Sequence, residues 1–330
     1  RKSIKDRRCF LMSLDAKKLF EEPSLIQITT WARGVLQNKD ARDVVFALAS
    51  AGSKEGKYAQ AWENYVDLPD RVGVPVRAYA RVSEEPILSK YIYENENPDV
   101  VVLTEEALVK GNDVLAGIKP GGVLIVNTKR DPQYILKFLK DTTYLGTIGC
   151  VDATGVAGYV QTLSGAEGAT DASGIGVGAG AVLAGAVVKA EPFVKPESVF
   201  SSVKNEQACR YGYNEVHLMT VNTTFPAFVP APKKQLGADD LPFAGTVPSV
   251  NKENEKRITG NWRSERPVWS KERCTSCLLC WVSCPDAVIT YKTPEAMEFN
   301  NLKYCKGCGL CAAVCPTKAI TMVPELDFED

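Results

Sequence analysis

CTSCLLCWVSCPDAVIT (274–290) and CKGCGLCAAVCPTKAIT (305–321) are two copies of one pattern. Cys274, Cys277, Cys280 and Cys284, and then Cys305, Cys308, Cys311 and Cys315, each follow C-x2-C-x2-C-x3-C-P, with Pro285 and Pro316 closing the runs. Three thiolates so closely spaced can wrap one face of a cubane iron-sulfur cluster, while the fourth, stiffened by the proline after it, is aimed at the neighbouring cluster. The spacing therefore predicts two [4Fe-4S] clusters with crossed ligation. Cys274, Cys277, Cys280 and Cys315 are expected around one, and Cys305, Cys308, Cys311 and Cys284 around the other. The repeat extends past the ligands to a shared C-x-x-C-x-L-C-x-x-x-C-P-x-x-x-I-T, so each half is expected to supply a short strand and a helix to a pseudo-twofold module.

Other uses of cysteine fit less well. A disulfide framework belongs to small secreted domains, whereas this chain has 330 residues and no secretory signal. Zinc ribbons pair C-x2-C knuckles without the third cysteine or the C-P ending. Of 11 cysteines, only Cys9, Cys150 and Cys209 lie outside the motifs. With no histidine near them in sequence, they read as buried thiols rather than reactive ones.

A net charge of -1 gives no reason to expect nucleic acid or an anionic membrane as partner, and 45% hydrophobic residues suffice for an α/β core plus a small second domain. The basic opening RKSIKDRRCFLMSLDAKKLF (from Arg1) has too short an apolar run for a secretory segment, and with no initial methionine its first residue need not be the true start. The small apolar stretch Gly174 to Val188 falls short of the ~18 residues of a membrane span. A soluble, cytoplasmic chain is expected.

From about 24 to 203 strand-like and helix-like segments alternate. SLIQITTW (from Ser24) reads as a strand; Val44, Val45, Leu48 and Ala49 then share one side of a helix. VPVRAYARVS (from Val74) alternates with period two, and DVVVL (from Asp99) and GGVLIVNT (from Gly121) are continuous apolar runs suited to strands covered on both faces. These features predict a layered α/β domain, with helices on both faces of a mostly parallel sheet. Residues 155 to 186 are rich in glycine and alanine, which favours close backbone approach over phosphate binding, since the strand and acidic residue of a dinucleotide fingerprint are missing. The proline-rich stretch from Phe225 to Val268 reads as an extended connector, with Trp262 and Trp269 as anchors before the first motif. The expected division is an α/β domain over 1–204, a linker over 205–260 and a small α+β, bacterial-type two-[4Fe-4S] ferredoxin domain over 261–330.

GNWRSERPVWSKERCTSCLLCWVSCPD (from Gly260) resembles the delta subunit of the 2-oxoacid:ferredoxin oxidoreductases. EGKYAQAW (from Glu55), GVPVRAYARVSEEPI (from Gly73), PDVVVL (from Pro98), KPGGVLIVNT (from Lys119) and VDAT (from Val151) resemble the gamma subunit of the same family. The resemblance implies a fused gamma/delta subunit. It further implies alpha- and beta-type partner subunits in a dimer of heterotrimers, thiamine diphosphate with Mg2+ on the partners, room for a further [4Fe-4S] cluster there, and external ferredoxin as acceptor. This chain lacks the family's G-D-G thiamine motif, and its one histidine, His217, lies in an ordinary half-buried context, so no catalytic residue is proposed.

The family's gamma subunit typically carries a G-R-G-G-Q-G turn that meets the phosphate-bearing part of coenzyme A. Here the matching stretch is Ala32, Arg33, Gly34, Val35, Leu36 and Gln37, of which only Arg33 and Gly34 agree. Side chains at the remaining positions oppose the close approach of backbone N–H groups to phosphate, so the coenzyme site is expected to be lost. That loss ranks oxalate oxidoreductase first, because splitting oxalate into two CO2 leaves no acyl group for a thiol. A coenzyme-A-dependent pyruvate or other 2-oxoacid enzyme ranks second, and a free-standing two-cluster carrier third.

Overall fold

The computed structural model describes residues 22–64, 73–90, 93–157, 179–229, 255, 257–291 and 297–329, except for the side chains of Val35 and Leu36. Two compact units divide at Val229/Pro230. Cys9, most of the connector and residues 158–178 of the glycine-rich stretch lie outside the described residues.

In the first unit the alternation of SLIQITTW becomes strand β1 (Ile26–Arg33), which runs straight into helix α1 (Gly34–Lys54). Val44, Val45 and Leu48 are completely buried on the helix's inner side, as their spacing predicts. β2 (Tyr58–Asn64), β3 (Pro75–Ser83), β4 (Val100–Leu103), β5 (Gly122–Asn127), β6 (Leu145–Val151) and β7 (His217–Thr220) complete a seven-stranded sheet of order β2-β3-β1-β4-β5-β6-β7. β1, β4, β5 and β6 are parallel neighbours, whereas β2, β3 and β7 pair antiparallel. The sheet is thus mixed rather than mostly parallel, because β3 pairs antiparallel with both β1 and β2.

Val100, Val102, Val123 and Ile125 belong to the large core shared with α1. Their alternating neighbours Val101, Leu103, Leu124 and Val126 are also completely buried, so β4 and β5 are covered on both faces. The long helices gather in one layer: α1 and α3 (Ala179–Ala190), with α4 (Pro196–Phe200) and α5 (Glu206–Glu215), share the first core. Among the described residues the opposite face carries shorter pieces, including α2 (Pro132–Leu136), whose Ile135 is buried.

The described end of the glycine-rich segment makes the close backbone approach its composition suggests. A Cβ on Gly185 of α3 would come within 2.0 Å of the Cys209 carbonyl, and one on Gly212 of α5 within 1.9 Å of the Val182 carbonyl, so the two helix backbones are in direct contact. α5 and β7 also carry the α/β unit past residue 204, where the sequence suggests a linker. The unit extends to Val229 because the amphipathic turn around Ala208 and Cys209 packs into its core.

The second unit is built from small pieces. β8 (Glu265–Trp269) pairs with β11 (Ile320–Pro324), and β9 (Thr290–Tyr291) pairs with β10 (Met297–Glu298). Each cysteine run contains one short helix, α6 (Leu279–Val282) or α7 (Leu310–Ala313), so each half supplies the strand and helix expected of it. Among the described residues, no helix is long and apolar enough to cross a membrane.

Candidate functional site

The two halves of the second unit bend their backbones at equivalent places. Ser276 and Leu278 have φ of 55° and 62°, and their counterparts Gly307 and Gly309 have 69° and 75°. After each Cys-Pro, Ala287 and Lys318 are left-handed too, at 48° and 52°. These reversals turn successive cysteines toward one point, and in the first half non-glycine residues adopt them at a cost of about 1 kcal/mol each.

The result is two cavities. One is lined by Cys284, Cys305, Cys308 and Cys311, and the other by Cys274, Cys277, Cys280 and Cys315. Each fourth cysteine therefore stands with the three of the opposite run. Backbone N–H groups already face sulfur: Ser276 donates to Cys274 Sγ at 3.4 Å, Val288 to Cys284 Sγ at 3.4 Å and Ala319 to Cys315 Sγ at 3.2 Å. Burial raises the Cys280, Cys305 and Cys311 thiols, the last to about 11. At Cys315 burial works the same way, but hydrogen bonds from Ala319 and Thr317 outweigh it and bring the thiol below its usual range.

The donor set fits two cubanes. Trp269 lines the Cys274 cavity, and its Nε1 is buried with no acceptor among the described residues, a donor that a cluster sulfide can satisfy. Among the described residues no three ligating side chains converge tightly enough for a single metal ion. A cubane is held at four separate irons, so its thiols stand further apart than those of a zinc site. When bound, such clusters would supply one-electron redox chemistry; the eight cysteines would hold them and the residues around would fix the charge near them.

That charge comes from residues whose role is not legible in the sequence. Arg263 donates to Glu325 from Nε at 2.6 Å and from Nη2 at 2.9 Å, and Arg266 donates to the same carboxylate at 2.9 and 2.6 Å. All three side chains are less than 10% exposed. Burial alone would raise Glu325, but the hydrogen bonds from Arg266 and Arg263, together with their charges, hold its carboxyl down at about 2. Arg263 Nη1 also donates to the carbonyls of Leu302 and, at 3.4 Å, Cys305. The two arginines of WRSERP stand beside the first motif in sequence, whereas their carboxylate lies beyond the second.

The first unit offers a different site. At the C-terminal ends of β1, β4, β5 and β6 an open cleft of about 390 Å3 is lined by Gln37, Thr104, Glu105, Glu106, Lys129 and Arg130, among others. This is where open parallel sheets bind ligands. The Ala32–Gln37 stretch borders it without a separate loop. Arg33 is the last residue of β1, and Gly34, with φ of 57°, starts α1 while donating its N–H to Val74 O at 2.7 Å. Gln37 Oε1 accepts from Arg33 N at 3.1 Å, and the Arg33 guanidinium turns inward to Glu105 at 2.7 Å and Gly73 O at 3.4 Å. Within the cleft Arg130 pairs with Glu106 at 3.0 Å and Lys129 with Asp152 at 3.6 Å. Cys150 and Cys209 are buried thiols pushed up to about 12 by burial, as expected of inert cysteines. His217 is exposed on an edge strand rather than half-buried.

Two sets of four converging thiols, with N–H groups directed at sulfur, define an iron-sulfur electron-transfer protein. Comparison with known proteins agrees. Residues 44–215 match the family described as pyruvate ferredoxin/flavodoxin oxidoreductase, and residues 268–322 match the 4Fe-4S dicluster domain. The pyruvate/ketoisovalerate oxidoreductases common subunit gamma of Thermococcus kodakarensis is 40% identical over 158 residues, covering 48% of this chain and 75% of that one. Pyruvate synthase subunit PorD of Thermotoga maritima is 44% identical over 89 residues, covering 27% of this chain and 88% of its own. A crystal structure of pyruvate oxidoreductase subunit PORC from Thermotoga maritima aligns with a TM-score of 0.45 at 28% identity, covering 59% of this chain and 98% of that one. The chain belongs to the pyruvate ferredoxin/flavodoxin oxidoreductase family, as a gamma-type subunit of a 2-oxoacid:ferredoxin oxidoreductase that continues into a two-[4Fe-4S] domain.

Proposed function

We propose that this chain is the fused gamma/delta-type electron-transfer and scaffold subunit of a thiamine-diphosphate-dependent, coenzyme-A-dependent oxidoreductase of the pyruvate type. The observation that carries this reading is the union, in one chain and in order, of a segment similar to a pyruvate/ketoisovalerate gamma subunit and one similar to PorD. Alpha- and beta-type partners carry thiamine diphosphate with Mg2+ and break the carbon-carbon bond. Electrons leave through the cysteine-rich domain to external ferredoxin, in a cytoplasmic dimer of heterotrimers. The names of these relatives reverse the order in which the sequence ranks the substrates, since they point to pyruvate.

Oxalate is retained as a second reading on one observation. Arg33, one of the two residues that match the family's coenzyme turn, is committed to Glu105 and Gly73, and Gln37 is committed to the Arg33 backbone. A phosphate at this helix start would find no free cation from that turn. Assays of the purified native complex on pyruvate and on oxalate, with and without coenzyme A, decide between the two. Coenzyme-dependent turnover of pyruvate supports the first reading; turnover of oxalate alone, unchanged by the coenzyme, replaces it with the second. Purification of a lone chain without thiamine-diphosphate partners overturns both in favour of a free-standing carrier.

A further inference from the structure

The two cysteine cavities differ in their electrostatics. Besides its thiols, the Cys274 cavity is lined by Trp269, Thr275, Leu278, Met297 and other uncharged residues. Lys271, Glu272 and Arg273, just before it, are exposed to water, which screens them. The Cys305 cavity is lined by Asp286 and Lys306, which pair at 3.5 Å and cancel. Pressed against its backbone, however, is the buried group of Arg263, Arg266 and Glu325, two cations sharing one carboxylate. A Cβ on Gly307 would lie 2.7 Å from Arg263 Cβ, so the turn between Cys305 and Cys308 rests directly on Arg263. Arg263 Nη1 also reaches the Cys305 carbonyl at 3.4 Å. Asp327 and Glu329, close by in sequence, are exposed and contribute little by comparison.

We infer that Arg263, held by Glu325 and Arg266 against the Cys305 backbone, raises the reduction potential of the site formed by Cys284, Cys305, Cys308 and Cys311 above that of the site formed by Cys274, Cys277, Cys280 and Cys315. Reduction of a cubane from the 2+ to the 1+ state adds one negative charge, and the buried Arg263 guanidinium close by stabilises the reduced form. In the exchange between the sites one electron leaves the Cys274 site and one is gained by the Cys305 site. No proton moves, and no bond forms or breaks. The first electron taken up by the module therefore settles beside Arg263, whichever substrate supplies it. Arg263 is a positioning residue in this scheme; it touches no substrate.

Potentiometric titration of the whole complex, followed by electron paramagnetic resonance, tests the inference, with the Cys305-site signal identified by its change in Cys308→Ser. In the native protein that signal is reduced first. Arg263→Gln leaves Glu325 paired with Arg266 and removes one buried positive charge, so the Cys305-site reduction equilibrium falls roughly tenfold, about 59 mV for one electron. Glu325→Gln removes one buried negative charge and shifts the same signal upward, and Arg263→Lys keeps the native value. The Cys274-site signal moves less in every case. Opposite shifts from the first two variants are a result that general loosening of the fold does not produce. Shifts in the same direction, equal shifts at both sites, or a Cys274 site reduced first in the native protein overturn the proposal. If Arg263→Gln loses iron, the upward shift in Glu325→Gln, measured against native protein, decides the matter.

Discussion

Arg33 Nε donates to Glu105 Oε2 at 2.7 Å, tying the last residue of β1 to the residue that caps the short turn after β4. The pair is buried, with side-chain exposures of 3% and 15%. Loss of one partner leaves the other charge buried with less compensation, so Arg33→Met is expected to destabilise the α/β unit by about 3 kcal/mol. Urea unfolding of the purified variant checks this, and a loss below about 1 kcal/mol, the range of surface pairs, shows that the contact is not structural. The result bears on coenzyme A, because an Arg33 needed for folding is less available to phosphate.

The contact between α3 and α5 makes a second prediction. With carbonyls standing within 2.0 Å of where a Cβ would be, Gly185→Ala and Gly212→Ala each force the helices apart. Overpacking of this kind costs typically 1–3 kcal/mol or more. Melting temperatures should fall in both variants. By contrast, Gly56→Ala, where nothing lies within 4 Å, should lose only what its positive φ of 77° costs.

How far the sequence announces these features depends on whether they are local. The alternation in β1 and β3, the apolar runs of β4 and β5 and the cysteine grouping follow from periodicity or fixed spacing, and are readable without partners. Non-local pairings are not. Nothing in PVRAYARVS (from Pro75) says that it returns antiparallel beside β1, or that QACRYGY (from Gln207) packs into the core across a glycine contact with α3. The same holds for Glu325, which joins Arg263 only through the pairing of β11 with β8. The sequence puts Arg33 and Gly34 in the stretch matching the family's coenzyme turn, but it does not announce the inward turn of the Arg33 guanidinium, because Glu105 lies far along the chain.

The Glu325 carboxyl gives a prediction for acid. Its folded value of about 2 lies below its ordinary 4.5. A depressed acid contributes stability that is complete above roughly pH 5.5 and is lost as pH falls through 4.5 toward 2. The gap corresponds to up to about 3 kcal/mol in the cysteine-rich unit. Loss of visible absorbance from the clusters, followed against pH, should show a component in that window which is absent from Glu325→Gln. If native protein and variant have the same profile below pH 4.5, the carboxylate does not carry this stability.

The grouping of Cys284 with Cys305, Cys308 and Cys311 separates crossed from uncrossed ligation. Cys284 belongs to the first run by sequence, but its sulfur lines the cavity of the second, because the chain after Cys280 passes through α6 and turns at Pro285 toward that cavity. Cys284→Ala should therefore weaken the cluster beside Arg263 and spare the one beside Trp269. Cys315→Ala should do the reverse, since Cys315 lines the Trp269 cavity. Electron paramagnetic resonance of the two reduced variants, with iron counted per chain, reads this directly: each should keep a different signal and lose up to half of the about eight irons expected of two cubanes. If Cys284→Ala instead removes the signal that depends on Cys274, Cys277 and Cys280, ligation follows the sequence order and the two cavities do not correspond to the clusters.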